Sequence, residues 1–208
     1  MAIREVDLIA KQVAGKIFTH EEYMKLDYDS LGVQLELIDG EIYFMAAPLI
    51  AHQEISGNLY NEIKNFLKGK KCKVFYAPFA VSLEKDKGSN STVQPDLVVI
   101  CDADKIKNGK VCYGAPDMVI EILSPSNAKH DKMTKYVKYE QAGVSEFWIV
   151  DPEERLVEAY ILRDGSYISK RYDEKCKLPC TVLNGLEIDL AEIFPIIEED
   201  ENNQQEEI

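Results

Sequence analysis

Glu121 is the residue in this chain whose position most needs a chemical explanation. It interrupts the apolar run Met118-Val119-Ile120-Glu121-Ile122-Leu123, in which apolar residues occupy both faces of a predicted strand, as they do in strands buried on both sides. A carboxylate in such a strand costs several kcal/mol unless a cation or strong donors meet it. A metal ion, a salt bridge or a strand end that reaches water would each satisfy it.

Asp96 is the best partner for Glu121 in a metal site. It follows Pro95 and begins the apolar strand Leu97-Val98-Val99-Ile100. Carboxylates on adjacent strands stand about 5 Å apart, close enough to share one divalent ion. Asp117 also follows a proline, but it lies four residues before Glu121, about 13 Å along a strand. We therefore interpret Asp117 as the start of its own strand.

Glu36 shows the same anomaly more weakly. In Leu35-Glu36-Leu37-Ile38 it shares a face with Ile38, so it is either partly buried or tolerated at the edge of a hairpin. Other chemistries have less support, because the sequence contains no GxSxG, GxGxxG, HExxH or phosphate-loop motif. Ser124, His130 and Asp131 are typical of a helix start rather than of a catalytic triad.

The elements that would position these residues form one α/β domain. We predict a short helix at His20–Leu26 after the Thr19/Glu22 capping box, a hairpin around Asp39-Gly40, and a long amphipathic helix at Ala51–Lys68. Strands at Cys72–Tyr76, Ala80–Glu84, Asp96–Cys101 and Asp117–Leu123 follow, then a helix at Lys129–Ala142 ended by Gly143, a strand at Glu146–Val150 and a hairpin around Asp164-Gly165. This order predicts a central mixed β-sheet flanked by helices, with further hairpins towards each end.

The overall charge of −13 argues against nucleic-acid binding, since phosphate contacts need lysine and arginine. Residues 198–208 contain six acids and no base, so we predict a disordered acidic tail there and a domain at residues 17–197. Without the tail the charge is about −7. Part of the remainder would be carboxylates gathered around a divalent cation.

The five cysteines show no paired CxxC spacing and no histidine pair that would complete a zinc site. Reduced thiols in a cytoplasmic protein are the simplest interpretation. No apolar run is long enough to cross a membrane, and no secretory signal opens the sequence.

A series of short motifs resembles one known family. The motifs are Glu36-Leu-Ile-Asp-Gly40, His52-Gln53, Pro95-Asp96-Leu97, Ala115-Pro116-Asp117, Glu121-Ile-Leu-Ser-Pro125, Asp131 with Lys135 and Tyr139, Gly143-Val144, and Trp148-Ile-Val-Asp-Pro152. Their joint order and spacing, over Ile17 to Pro195, resemble the Uma-type restriction endonucleases of the PD-(D/E)XK nuclease superfamily.

The resemblance implies a restriction-endonuclease-like fold with a cleft framed by the two helices and the sheet. Asp96, Glu121 and the backbone carbonyl of Ile122 would bind Mg²⁺ or Mn²⁺, and Glu36 would be an accessory acid at the same site. The implied partners are nucleic acid, most simply DNA, and a second copy of the chain in a homodimer, with no membrane involved.

The sequence departs from the superfamily pattern at Leu123, where a lysine is expected two residues after the glutamate. The family pattern places the lysine on the following helix, which indicates Lys135. Asp131, Lys135 and Tyr139 are four residues apart and line one helical face. Without the resemblance, Asp131 and Lys135 are equally an ordinary surface ion pair. His52 belongs to the family pattern, although a histidine at a helix start is often structural.

We therefore expect a metal-dependent endonuclease in which Asp96, Glu121, Lys135 and Glu36 are catalytic. The alternative is a nuclease scaffold that binds a partner but no longer cleaves, since the lysine is missing from the strand and the chain is acidic. A hydrolase for smaller phosphodiesters would use the same chemistry.

Overall fold

The computed structural model describes residues 10–26, 33–45, 47–84, 89–124 and 131–195, with the backbone only at residues 131 and 132. The predicted tail at residues 198–208 lies outside this range. The α-helices are His20–Tyr23 (α1), Ile50–Phe66 (α2) and Tyr136–Ala142 (α3), and a further helical turn covers residues 10–13. A π-helical turn, Asp131–Lys135, runs directly into α3. None of the described helices is long and apolar enough to span a membrane.

Two mixed sheets and a small hairpin account for the strands. The strands of the five-stranded sheet, from one edge to the other, are Glu41–Phe44 (β2), Leu35–Ile38 (β1), Thr92–Val93 (β5), Ala80–Ser82 (β4) and Val111–Tyr113 (β7). The strands of the six-stranded sheet, from one edge to the other, are Ser166–Asp173 (β11), Leu156–Arg163 (β10), Glu146–Asp151 (β9), Met118–Ile122 (β8), Leu97–Ile100 (β6) and Lys73–Tyr76 (β3). Lys177–Pro179 (β12) pairs with Glu187–Asp189 (β13). Each large sheet has one parallel pair, β4 with β7 and β8 with β9, and its other pairs are antiparallel.

The six-stranded sheet is covered on both faces, which explains its nearly continuous apolar strands. One face packs on α2 and the C-terminal segment, through residues such as Ile55, Leu59, Ile63, Ile120, Trp148 and Phe194. The other face packs on α3 and the five-stranded sheet, through residues such as Ile38, Val81, Val98, Val119, Tyr139 and Phe147. A charged side chain in a central strand of this sheet therefore has to find its partner inside the protein.

The turns confirm the local sequence signals. The capping box of Thr19 and Glu22 is present at the start of α1. Both hairpins turn through an Asp-Gly pair with two positive φ angles, 52° and 82° at Asp39-Gly40 and 50° and 84° at Asp164-Gly165, as a type I′ turn requires. Gly143 follows α3 with φ 86°, the left-handed backbone conformation with which helices commonly end.

Some details differ from the prediction. The strands β5 and β7 were not predicted, because two or three residues are too few to show a period of two. The predicted single sheet is two sheets, and the first hairpin belongs to the five-stranded one. The helix predicted at Lys129–Ala142 is a π turn followed by α3, and residues 129–130 lie outside the described residues.

The prediction that the thiols are reduced is wrong for Cys72 and Cys101, which form a disulfide between the adjacent ends of β3 and β6. The pairing of Lys73 with Ile100 places Cys72 opposite Cys101, with 3.9 Å between the Cα atoms of the two cysteines. Their separation of 29 residues hides this proximity in the sequence. Cys112, Cys176 and Cys180 are free.

Glu146 is a fully buried carboxylate at the start of β9 that ties the C-terminal segment to the sheet. Its oxygens accept hydrogen bonds from the indole of Trp148 at 2.8 Å, the backbone N–H of Val182 at 2.7 Å and the thiol of Cys180 at 3.3 Å. Burial raises the pKa of Glu146 above its ordinary value, and the donors offset that effect only in part.

The raised pKa of Glu146 predicts a pH-dependent effect of Glu146→Gln. Above the ordinary pKa of 4.5 and up to the raised pKa, the folded protein binds more protons at this site than the unfolded chain, so the free energy of unfolding falls as pH rises. The glutamine variant lacks this contribution. Urea denaturation from about pH 4 to pH 7 should show the stability of the wild type relative to the variant falling with pH. A difference that grows with pH would contradict this account.

Candidate active site

A cleft of about 410 Å³ opens where β6, β8 and the start of α2 meet. Asp96, Glu121, Ile122 and Lys135 line it, together with His52 and Ser124. The structure thus brings together in one cavity four of the five predicted site residues, and it places Glu36 directly behind them.

Asp96 and Glu121 are neighbours across two paired strands, as predicted. The register that pairs Leu97 with Ile120 places Asp96 opposite Glu121 at the next step. The Oδ2 atom of Asp96 accepts a hydrogen bond of 2.7 Å from the backbone N–H of Ile122 and lies 3.2 Å from Nε2 of His52. These two contacts fix the orientation of the Asp96 carboxylate towards Glu121.

Glu121 is 2% exposed, and its carboxylate is held by two groups from the helix that follows β8. Its Oε1 atom accepts hydrogen bonds from Nζ of Lys135 at 3.1 Å and from the hydroxyl of Tyr139 at 2.6 Å. The salt bridge that the sequence left open as an alternative to a metal site is therefore present, and it lies at the wall of the cleft.

Glu36 is buried rather than held at an exposed hairpin edge, with 1% of its surface accessible. Its Oε1 atom lies 3.0 Å from Nζ of Lys135 and accepts a hydrogen bond of 2.8 Å from the backbone N–H of Gln94. Glu36 is in β1 of the five-stranded sheet and Glu121 in β8 of the six-stranded sheet, so the ammonium of Lys135 joins the two sheets.

Lys135 is 1% exposed and is not a surface residue. It is the last residue of the π turn, and Tyr139 follows one helical turn later, so both side chains reach Glu121 from one face of the helix. Turns of the π type are frequently found at functional sites. The side chain of Asp131, the third residue predicted on this face, lies outside the described residues.

The position of Leu123 explains why a lysine on the helix can replace one in the strand. Leu123 lies on the same face of β8 as Glu121 and is buried in the core between the two sheets. Lys135 enters from α3, which packs on that same face. Its ammonium therefore reaches Glu121 from the side on which a lysine at position 123 would lie.

The charges around the cleft do not balance among the side chains described. Glu36, Glu121 and Asp96 are three carboxylates, whereas Lys135 is one ammonium, and His52 adds charge only when protonated. The excess of negative charge and the all-oxygen donors suit a hard divalent cation. Within the described ranges no group of three or more His, Cys, Asp or Glu side chains is placed to hold a metal ion. A cation here would have to take ligands from the backbone, water or substrate.

Asp117, the second acid that follows a proline, has a structural role outside the cleft. The carboxylate of Asp117 accepts a hydrogen bond of 2.7 Å from the backbone N–H of Cys101 and does not line the cleft, as its interpretation as a strand start requires. Tyr139 is visible in the sequence only as part of a family motif and Gln94 is not visible at all, because their contacts depend on the packing of distant segments. Tyr60 and Tyr76 meet edge to face at the rim, with ring centroids 5.0 Å apart, although their positions in the sequence predict no aromatic platform.

The buried position of Lys135 predicts a large stability effect. Lys135→Met keeps the aliphatic stem but leaves Glu36 and Glu121 facing each other without a cation, which should lower the free energy of unfolding by about 3 to 5 kcal/mol. Adding Glu36→Gln should restore part of this loss. Urea denaturation measures both effects.

Lys138→Met is the matched control, since Lys138 is on the same helix but pairs with the exposed Asp39. Its loss should stay below about 1 kcal/mol. Equal losses for the two lysine variants would show that the Lys135 ammonium is not held as described.

Comparison with known proteins supports both the fold and the motifs. The model of the Uma2 family, described as "Putative restriction endonuclease", matches residues 20–191. Two uncharacterized proteins of Synechocystis are similar to this chain. One is 30% identical over 57% of this chain and 60% of the relative, and the other is 26% identical over 65% of this chain and 76% of the relative.

The fold has also been solved in a similar chain. A crystal structure from Anabaena variabilis, titled as a "putative nuclease belonging to DUF820", aligns with a TM-score of 0.70 at 22% identity, over 85% of this chain and 97% of that one. This likeness confirms the mixed α/β fold, and the family match covers all the predicted site residues. The chain therefore belongs to the Uma2 family.

Proposed function

We propose that this protein is a metal-dependent endonuclease, a hydrolase of phosphodiester bonds in nucleic acid, with DNA as the substrate. The observation that carries the proposal is the buried ammonium of Lys135 on Glu121, beside Asp96 in an open cleft. Two acidic residues on adjacent strands can hold a divalent cation, and a lysine beside them can stabilise negative charge on a phosphate, which suits metal-assisted phosphodiester hydrolysis.

Mg²⁺ or Mn²⁺ fits the cleft on the chemistry of the donors, with Asp96, Glu121 and the backbone carbonyl of Ile122 as its protein ligands. Mg²⁺ commonly binds through one or two carboxylates and keeps water and phosphate oxygens as its other ligands. When bound, the cation would polarise the scissile phosphate and lower the pKa of a bound water molecule.

The side chains of the protein orient these groups and supply positive charge. The Ile122 N–H and His52 hold the Asp96 carboxylate, and Tyr139 holds that of Glu121. Lys135 lines the cleft, so its fixed positive charge would stabilise the negative charge that develops on the phosphate in the transition state. Because the two sheets hold this ammonium in place, little reorganisation would be needed during the reaction.

Glu36 would act as an accessory acid through Lys135. Its carboxylate contacts the ammonium rather than the cleft, so it would hold the lysine in place. Homodimeric assembly and a cytoplasmic location remain predictions from the sequence.

The rival function is a nuclease scaffold that binds a partner without cleaving. It is favoured by the absence of a complete metal cage among the described side chains and by the engagement of Lys135 with two carboxylates, a pattern that a purely structural ion network would also show.

A thermal-shift measurement with divalent ions separates the two functions. A ligand that binds only the folded state stabilises it by about 2.7 kcal/mol at 100 times its dissociation constant. We expect Mg²⁺ and Mn²⁺ to raise the melting temperature of the wild type, and much less that of Asp96→Asn. An equal response of both proteins, or none, would favour the scaffold.

Cleavage of a DNA substrate tests the catalytic proposal itself. Asp96→Asn and Glu121→Gln should each reduce metal-dependent cleavage at least about a hundredfold, because each removes a charged ligand from the cation. Circular dichroism should show that both variants remain folded.

Asp117→Asn is the matched control, since Asp117 also follows a proline and accepts a backbone hydrogen bond, but does so outside the cleft. Its activity should stay close to that of the wild type. Near-normal cleavage by Asp96→Asn or Glu121→Gln would overturn the assigned site.

A further inference from the structure

An acidic chain that handles DNA needs a local source of positive charge, and one segment provides it. Residues 63–83 contain five lysines and no acid, in a protein with 37 acidic and 24 basic residues. We call the five the lysine strip: Lys64, Lys68, Lys70, Lys71 and Lys73. All five are exposed, and among the described residues none lies within salt-bridge distance of a carboxylate.

The strip is continuous with the candidate active site. His52, Ser56 and Tyr60 line the cleft at intervals of four residues along α2, and Lys64 continues the series one turn later. The Lys64 ammonium lies 6.0 Å from the centre of the Tyr60 ring. At the other end of the strip, β3 begins at Lys73 and ends at Tyr76, which lies at the rim of the cleft.

The acids on α2 and beside the disulfide do not neutralise the strip. At about 100° per residue, Glu62 projects from α2 about 160° away from Lys64, on the opposite face of the helix. Asp102 directly follows Cys101 of the Cys72–Cys101 disulfide. Its carboxylate caps a short helical turn by accepting a hydrogen bond from the N–H of Asp104, and the carboxylate of Asp104 pairs with Lys107.

We propose that the lysine strip binds the phosphate backbone of the DNA duplex on one side of the cleavage site, an inference that rests on the proposed function. Lys64 lies twelve residues after His52, about 18 Å along the axis of α2, and the other four lysines follow it in the chain. That length corresponds to about five base-pair steps of duplex. The strip therefore contacts backbone several steps from the scissile phosphate and adds affinity without reading sequence.

The test is the salt dependence of duplex binding, measured by fluorescence anisotropy in EDTA so that nothing is cut. The strip variant is Lys68→Gln/Lys71→Gln/Lys73→Gln, which spares Lys70 because its ammonium packs on the Phe66 ring. The control is Lys25→Gln/Lys110→Gln/Lys175→Gln, which removes the same charge from exposed positions elsewhere.

We expect the strip variant to bind at least about tenfold more weakly than the wild type at low salt. Its slope of log affinity against log salt concentration should be shallower by about 2 to 3, close to one per lost phosphate contact. The control should follow the wild type. Equal slopes for all three proteins, or no measurable duplex binding by the wild type, would overturn the inference.

Two further outcomes separate this inference from its alternatives. Strip-dependent binding to vesicles containing anionic lipid, with duplex binding unchanged by the variant, would assign the surface to a membrane and overturn the proposal. The binding assay needs no catalysis. If the strip variant weakens duplex binding but the wild type never cleaves DNA with metal, the proposed function is disproved and duplex binding by the lysine strip is still supported.

Discussion

The ammonium of Lys135, shared by Glu36 and Glu121 inside the protein, is the interaction on which the arrangement of the site depends. A buried charge is tolerated only when partners meet it at good distances, so each of the two carboxylates requires the ammonium and the ammonium requires them. The three belong to β1, to β8 and to the turn before α3. Their contact therefore fixes how the two sheets and the helix meet, and that junction is one wall of the cleft. In the proposed mechanism the same lysine therefore has both a structural and a catalytic role.

The coverage of the six-stranded sheet on both faces explains why the cleft lies at the edge of the core. Apolar residues fill the strands on either side of Asp96 and Glu121, so the cleft forms only where β6 and β8 reach the edge of this core. A carboxylate at such an edge contacts protein on one side and the open cleft on the other. In this position Glu121 can accept from Lys135 and Tyr139 and still line the cavity where a cation and a phosphate would bind.

The parts of the site that could be predicted are those that break a local rule. Glu121 interrupts a buried strand, and Asp96 begins one, so both are visible in the sequence, and the strand register confirms their pairing. Lys135 was identified only through the family resemblance, because its spacing from Asp131 and Tyr139 is equally that of a surface helix pair. Gln94 and the Cys72–Cys101 pair act through distant packing and leave no local pattern, and the spacing that includes Tyr139 does not reveal its contact with Glu121. The lysine strip is visible in the sequence as five lysines without an acid over residues 63–83, within a chain whose net charge is strongly negative.

A crystal structure determined with Mn²⁺ and anomalous diffraction tests the central claim most directly. We predict one anomalous peak between the carboxylates of Asp96 and Glu121 and the carbonyl of Ile122, at oxygen distances of about 2.1 Å, with the Lys135 ammonium still on Glu36 and Glu121. A cleft without a Mn²⁺ peak at saturating metal, while Lys135 keeps both contacts, would show that the buried ion network is structural and that the nuclease proposal is wrong.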